Sequence, residues 1–344
     1  MTDPVVSADD LRLIAALQRR PRASWTSLGH ILGSNPVTLA RRWARLSESG
    51  LAWVTASPGL QTGTGALGLG VALVEVRVPP DQVIPAAREL AQLPEVATID
   101  LTAGGRELLL TVFAGSQDAL AGLLLDRLHT MATVLSVHTH PVTRTFAEGS
   151  AWRMPGLSDV EQTRLAEPAL RAPRGGGTPL AELVARELAR DGRVTPTELG
   201  ERLDLRPRRA RELVAEVVAT GRLRFRVEVA RPYSGFPVCT WYFLRTPAAQ
   251  RDRVAERLVT LAETRAVVAV VGRYSLAVDV WTRTLDDVQR LEAVVEDRLP
   301  GVQIDDRAVV LRTTKIMGRL LDENGRAGGF VPLPTYLSGF AEPA

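Results

Sequence analysis

Hydrophobic positions along this chain run at two periods, and the changes of period mark out its parts. After Ser7, a hydroxyl suited to cap a helix, come Asp9 and Asp10, then Leu11, Ile14, Ala15 and Leu17 at helical spacing. A second short helix is expected over 24–32, and a turn at Gly33, Ser34 and Asn35. Asn35 can cap a third helix that starts on Pro36, keeps Leu39, Trp43 and Leu46 on one face and stops at Gly50. Three helices with a tight turn before the third make a helix-turn-helix. The period then falls to two. Strands are expected at 71–78, 96–102, 107–114 and 134–144, with helices at 81–92 and 117–130 between them. That order is βαββαβ, the ferredoxin-like arrangement.

The succession then restarts. Helices are expected at 179–190, 196–203 and 207–220. Strands follow at 236–244, 266–271, 274–281 and 302–313, with helices at 248–262 and 285–298. Leu17–Gly50 aligns without a gap on Leu188–Gly221. Leu28/Leu199, Gly29/Gly200, Leu32/Leu203, Pro36/Pro207 and Gly50/Gly221 are identical pairs, and a fixed offset of this kind marks an internal repeat. The identities fall at framework positions. Arg41 aligns with Glu212 and Arg45 with Glu216, so the two copies are expected to be unequal.

Stretches rich in Gly, Ser, Thr and Pro at 57–69 and 146–177 read as linkers. The chain is therefore expected to be α+β, with two winged-type helix-turn-helix domains and two ferredoxin-like βαββαβ domains in tandem. The boundaries read 1–56 and 178–230 for the helix-turn-helix domains, and 70–145 and 231–315 for the βαββαβ domains. The tail, 316–344, reads as either disordered or a strap packed on another subunit.

Composition narrows the function classes. A net charge of +3 is a weak hint, but 41 of the 42 basic residues are Arg, with Lys315 the lone Lys. Coding bias explains this as readily as function does, although the planar guanidinium suits phosphates and base edges. A single cysteine, Cys239, excludes an intrachain disulfide and a multi-cysteine zinc site. No apolar run approaches the roughly 20 residues of a membrane span, and the opening MTDPVVSADD lacks a signal-peptide pattern. A reducing, cytoplasmic setting is expected. His138 and His140 share a strand face and make a fragment of a metal site, but no third ligand is evident, and a surface pair is the simpler reading. There is no P-loop, dinucleotide fingerprint or Ser-His-Asp set. The chain is expected not to be an enzyme, and no cofactor, catalytic residue or metal is expected.

Residues 9–17 (DDLRLIAAL), 22–24 (RAS) and 35–51 (NPVTLARRWARLSESGL), followed by a βαββαβ unit, resemble the Lrp/AsnC family of regulators. Residues 193–200 (RVTPTELG) and 206–221 (RPRRARELVAEVVATG) carry a weaker version. The family's Gly-x-x-Asp-Leu turn stands as GGREL at 104–108 and GRYSL at 272–276. Its Leu-Pro-Gly-Val stands at 299–302, while LHTM at 128–131 departs from it. The resemblance covers the chain apart from linkers and tail. It implies a transcriptional regulator that binds double-stranded DNA, responds to an amino acid or related metabolite, and forms homo-oligomers through its ferredoxin-like domains.

On this reading Asn35, Thr38, Arg41, Arg42 and Arg45 are the DNA-binding candidates of the first copy, and Arg206, Arg208, Arg209 and Arg211 those of the second. A solvated charged face is the alternative. Glu212 and Glu216 oppose DNA on parts of the second helix, which leaves three readings open for that copy: it reads sequence, it binds backbone without reading, or it only packs. Effector candidates are Gly104, Gly105, Arg106 and Glu107, and Gly272, Arg273, Tyr274 and Ser275, with plain hairpin turns as the alternative. Glu107 can partner an ammonium by charge and Ser275 cannot. Two other classes compete with the regulator. Siroheme decarboxylases resemble the same architecture, but 231–245 (RPYSGFPVCTWYFLR) lacks the histidines associated with their chemistry. A partner of another regulator that binds no DNA itself is the third reading.

Overall fold

The computed structural model describes residues 6–58, 70–166, 178–221 and 223–334. The start of the chain, 59–69 of the first linker, 167–177 of the second and 335–344 of the tail lie outside the described residues. In chain order the elements are α1 (Ala8–Arg19), α2 (Trp25–Leu32), α3 (Pro36–Glu48), β1 (Ala52–Pro58), β2 (Gly70–Arg77), α4 (Val83–Ala91), β3 (Val96–Ala103), β4 (Leu108–Ala114), α5 (Gln117–Gly122) and β5 (Ser136–Ala147). Then come α6 (Asp159–Arg164), α7 (Pro179–Arg190), α8 (Pro196–Leu203), α9 (Pro207–Ala219), β6 (Leu223–Val229), β7 (Val238–Arg245), α10 (Arg251–Val259), β8 (Thr264–Val270), β9 (Leu276–Thr282), α11 (Leu285–Arg298), β10 (Gln303–Ile316), β11 (Arg319–Leu321) and β12 (Ala327–Phe330). These elements fall into two compact units, one holding Met1–Gly59 with Arg153–Ser234, the other Leu60–Trp152 with Gly235–Pro334.

The first unit holds both helix-turn-helix copies. Helix α1 begins where Ser7 and Asp10 form a capping box: Ser7 Oγ accepts from the Asp10 N–H at 3.2 Å, and Asp10 Oδ2 accepts from the Ser7 N–H at 2.9 Å. The turn before α3 comes so close that a Cβ on Gly29 would lie 2.7 Å from the Ser34 carbonyl oxygen. A Cβ on Gly200 would lie 2.5 Å from that of Leu205, which is why this repeat pair is glycine in both copies. Their turns differ one step later. Gly33 holds the left-handed position at φ +64° in the first copy, and Asp204 holds it at +52° in the second.

The wing strands were not expected as they stand. β1 pairs antiparallel with β6, Ala52 opposite Val229 through Pro58 opposite Leu223, so each copy's strand completes the other copy's ribbon. Helix α1 packs on β6, and α7 packs on β1. Arg22 donates to the carbonyls of Gly192 and Val194, while Arg193 donates to those of Pro21 (2.5 Å) and Ala23 (3.0 Å). In the repeat alignment Pro21, Arg22 and Ala23 stand opposite Gly192, Arg193 and Val194. The two sets of bonds are therefore one set with the copies exchanged, the reciprocal signature of a two-fold contact. The expected linker 146–177 also contains α6, tied to α1 by the Arg12–Glu161 ion pair.

In the second unit each strand and helix of 70–147 recurs in order over 238–316: β2 aligns on β7, α4 on α10, β3 on β8, β4 on β9, α5 on α11 and β5 on β10, with Gly104 on Gly272. Eight strands close a ring in the order β10-β3-β4-β2-β5-β8-β9-β7, with β7 pairing back onto β10. The two seams obey the repeat: Val142 faces Val270 across one, and Val310 faces Thr102 across the other. Alternate strand residues pack outward against the helices, Val74, Val76, Leu108 and Leu110 with Leu90 and Leu120 on one side, and Leu244, Leu276 and Val278 with Leu258 and Leu291 on the other. The remaining alternate positions face inward, among them Leu73, Glu75, Trp241 and Phe243. The tail corrects its expectation: β11 and β12 form a hairpin on β10 in the same unit, turning at Asn324–Gly325, with Leu320 packed on the first core. Lys315, wholly buried, donates to the carbonyls of Ala91 and Leu93, both at 2.9 Å.

Candidate functional site

Helix α3 is amphipathic at 100° per residue. Leu39, Trp43 and Leu46 are buried, and Val37, Arg41, Ala44 and Glu48 lie on the diametrically opposite, exposed face. Asn35 caps the helix, its Oδ1 accepting from the Val37 N–H at 2.8 Å, and Thr38 is half-buried beside that face. Two of the expected DNA contacts are engaged within the helix-turn-helix. Arg45 pairs with the buried carboxylate of Asp10 at 2.6 Å, and Arg42 pairs with Asp9 at 2.8 Å and Asp10 at 3.5 Å. Both side chains hold α3 to the start of α1. Burial alone would raise the Asp10 carboxyl, but the hydrogen bonds from Ser7 and Arg45 bring it below the usual range. Arg41 is exposed and makes none of the ion pairs found among the described residues.

The matching face of α9 is occupied differently. Arg208 pairs with Glu212 at 3.2 Å, and Arg209 with Glu212 at 3.5 Å and Glu216 at 3.0 Å. Glu212 stands where the first copy has Arg41. Arg206, which gives no side-chain cap, and Arg211 are exposed. Exposed pairs of this kind are worth about 0–1 kcal/mol and exchange readily for other partners, so α9 keeps basic side chains for a phosphate backbone while its central position is acidic.

The effector candidates separate into two groups. Gly104 (φ +123°) and Gly272 (φ +135°) make the two turns, and a Cβ on Gly105 would meet nothing within 4 Å. Glu107 Oε2 accepts from the Val78 N–H at 3.1 Å, and Ser275 Oγ accepts from the Thr246 N–H at 3.1 Å. These are the same contact made at equivalent positions of the two ferredoxin-like halves. Glu107 and Ser275 thus share one task in this structure, tying down a strand end. Arg273 is exposed and lies over the Tyr274 ring at 5.3 Å.

Arg106 and Tyr274 instead turn inward, 3% and 4% exposed, into a centre that the sequence reading missed. Arg106 Nε donates to Glu75 Oε2 at 2.7 Å, and its Nη2 pairs with Asp306. His140 Nε2 lies 2.8 Å from Glu75 Oε1, and the Tyr274 hydroxyl donates to Asp306 at 3.3 Å. The Arg106 guanidinium stacks 4.7 Å from the Phe243 ring centre, and the His140 ring lies 5.1 Å from that of Tyr274. Burial alone would raise the Glu75 carboxyl, but the hydrogen bond from His140 and the charge of Arg106 carry it below its ordinary value. Burial, then the carboxylates of Glu75 and Asp306, push the Tyr274 hydroxyl up, so it remains a donor.

Two buried nitrogens in this centre, the donor Arg106 Nη1 and the His140 ring Nδ1, have no hydrogen-bond partner among the described residues. The repeat explains why the centre is single. In the register that sets Gly104 on Gly272, Glu75 corresponds to Phe243, Arg106 to Tyr274, His140 to Ala308, and His138 to Asp306. The expected His138–His140 pair is thus divided, with His138 exposed and His140 buried. No cluster of three or more metal-ligating side chains occurs among the described residues, and no helix among them is long and apolar enough to cross a membrane. A lone charge in the apolar strand VALVEV was the signal that could have pointed to Glu75.

Comparison with known proteins follows the same division. Residues 7–47 match the AsnC-type helix-turn-helix domain, and residues 71–152 match the Lrp/AsnC ligand binding domain. The HTH-type transcriptional regulator Ptr1 of Methanocaldococcus jannaschii is 25% identical over 144 residues, 41% of this chain and 94% of Ptr1. Among solved structures, the siroheme decarboxylase NirDL aligns over 92% of this chain and 95% of its own, with TM-score 0.53 and 13% identity. NirDL in complex with an iron-uroporphyrin III analogue aligns with TM-score 0.52. The likeness to NirDL is one of fold. It nevertheless corrects the expectation that the chain is not an enzyme, because an enzyme is built on nearly the whole of this architecture.

Proposed function

We propose that the chain is a DNA-binding transcriptional regulator of the Lrp/AsnC type, as its matches over residues 7–47 and 71–152 support, in which one of two joined helix-turn-helix copies reads sequence. The observation that carries this is the contrast between the two third helices. The outward face of α3 presents Val37, Thr38 and an uncommitted Arg41, whereas α9 presents Arg208 and Arg209 already paired with Glu212 and Glu216. On this reading α3 lies in the major groove, and Arg206 and Arg211 neutralise backbone phosphates. The centre around Arg106 and His140 is the effector site. The carboxylates of Glu75 and Asp306 suit an ammonium, the unsatisfied Arg106 Nη1 suits a carboxylate, and a ligand acts there by favouring one pairing of the ring seams over another. The test is binding of the full chain to a selected duplex. Arg41→Ala should cost about 1–3 kcal/mol on that duplex and little on random DNA. An equal loss on both would remove Arg41 from base reading.

A second reading, an enzyme acting on a siroheme-type tetrapyrrole, is favoured by the whole-chain fold likeness to NirDL and by His140 beside Arg106 in the interior. Purified protein that takes up a tetrapyrrole, releases carbon dioxide and has no DNA affinity would decide for it.

A further inference from the structure

Among the described residues Val37 is the most exposed large hydrophobic side chain, at 75%. It stands in the first turn of α3, opposite the buried face and one turn ahead of Arg41. Folding gains little from it: it buries only a minor part of its surface, and a branched Cβ lowers helix propensity slightly. Its place is nevertheless fixed, because the Asn35 carbonyl oxygen Oδ1 holds its N–H at 2.8 Å and its χ1 is stiff. The corresponding residue of the second copy, next after the paired prolines Pro36 and Pro207, is Arg208, so the framework is repeated here and the outward chemistry is not.

In the major groove the 5-methyl of thymine is the apolar edge, and a small apolar side chain is its complement. We infer that Val37 reads a thymine methyl in the site bound by α3. This rests on the DNA-binding reading above and adds base identity to it. Val37 and Arg41 lie one helical turn apart, about 6 Å along the axis, and base pairs are spaced at about 3.4 Å. The thymine therefore lies one or two base steps from a guanine whose N7 and O6 accept from Arg41.

The full chain, used to select duplexes from a random library, supplies the sites. Each thymine of the selected site is then replaced by deoxyuridine, which removes only the methyl. One thymine, within two steps of a guanine, should show a roughly fourfold loss of affinity for the unaltered protein, the value of one buried methyl group. Val37→Ala should bind the thymine and deoxyuridine forms of that position alike and keep any methyl effect elsewhere. Arg41→Ala should keep the methyl effect and lose the guanine preference. If Val37→Ala and the unaltered protein respond identically at every thymine, the inference fails while DNA reading stands. If no sequence is selected at all, the DNA reading fails and takes the inference with it.

Discussion

Removing Arg106 should cost folding stability in a way that acid partly restores. Its guanidinium, 3% exposed, is shared between Glu75 at 2.7 Å and Asp306, with Phe243 stacked on it. Arg106→Ala leaves the largely buried Glu75 and the part-buried Asp306 without their cation. Breaking a buried pair in this way costs roughly 3–5 kcal/mol. For a unit of this size 1 kcal/mol moves the midpoint by about 2–4 °C, so the loss is about 6–20 °C. In the unaltered protein the Glu75 carboxyl lies below its ordinary value of 4.5. That contribution is present above pH 4.5 and lost as pH falls through the folded value. In the variant, burial is opposed only by the hydrogen bonds left, from His140 to Glu75 and from Tyr274 to Asp306, so the carboxyls rise and protonation relieves part of the penalty as pH falls from 7 towards 5. Calorimetric melting of the full chain at pH 7 and pH 5 measures both effects, and Glu75→Gln added to Arg106→Ala should recover part of the loss at pH 7. A loss under about 1 kcal/mol, or one that grows in acid, would refute the picture of a charge-paired interior.

Three further outcomes follow from the geometry. Arg45→Ala should lower the melting temperature by leaving the buried Asp10 short of its partner, whereas Arg41→Ala should leave melting unchanged and act on DNA alone; equal thermal effects would contradict the division of the α3 arginines. Gly29→Ala and Gly200→Ala should each cost roughly 1–3 kcal/mol by forcing a Cβ onto a turn carbonyl, and Gly105→Ala, with open space, should cost less than about 1 kcal/mol in the same denaturant titration. Burial lowers the Lys315 ammonium to about 8 from its ordinary 10.5. The charged form is disfavoured in the folded chain, so stability relative to Lys315→Met should rise with pH between about 8 and 10.5, and a fall over that window would contradict the burial.

The local elements were legible because each has a period and a punctuation of its own. Ser7 and Asn35 do cap helices, and the βαββαβ strands lie within a few residues of the alternating runs. What escaped was what joins residues far apart. Nothing near Ala52–Pro58 signals that its partner is Leu223–Val229, so the exchanged ribbon was hidden. The central ionic group draws Glu75, Arg106, His140 and Asp306 from four separate places. The register of the helix-turn-helix copies, Gly29 on Gly200, does not expose it; the ferredoxin-like halves must be aligned in their own, Gly104 on Gly272. The ion pairs of Arg42 and Arg45 escaped for a related reason. Helical spacing turns them away from the core, but the capping box of α1 brings Asp9 and Asp10 within reach. The tail hairpin had its signal in Asn324–Gly325, a turn-forming pair between short apolar runs.

The most direct test of the central claim, that two joined but unequal helix-turn-helix copies use one reading helix, is genome-wide mapping of the sequences bound by the purified full chain. The account predicts one conserved, non-palindromic half-site flanked by a stretch of protected but variable sequence. A palindrome with two equally conserved half-sites would contradict it.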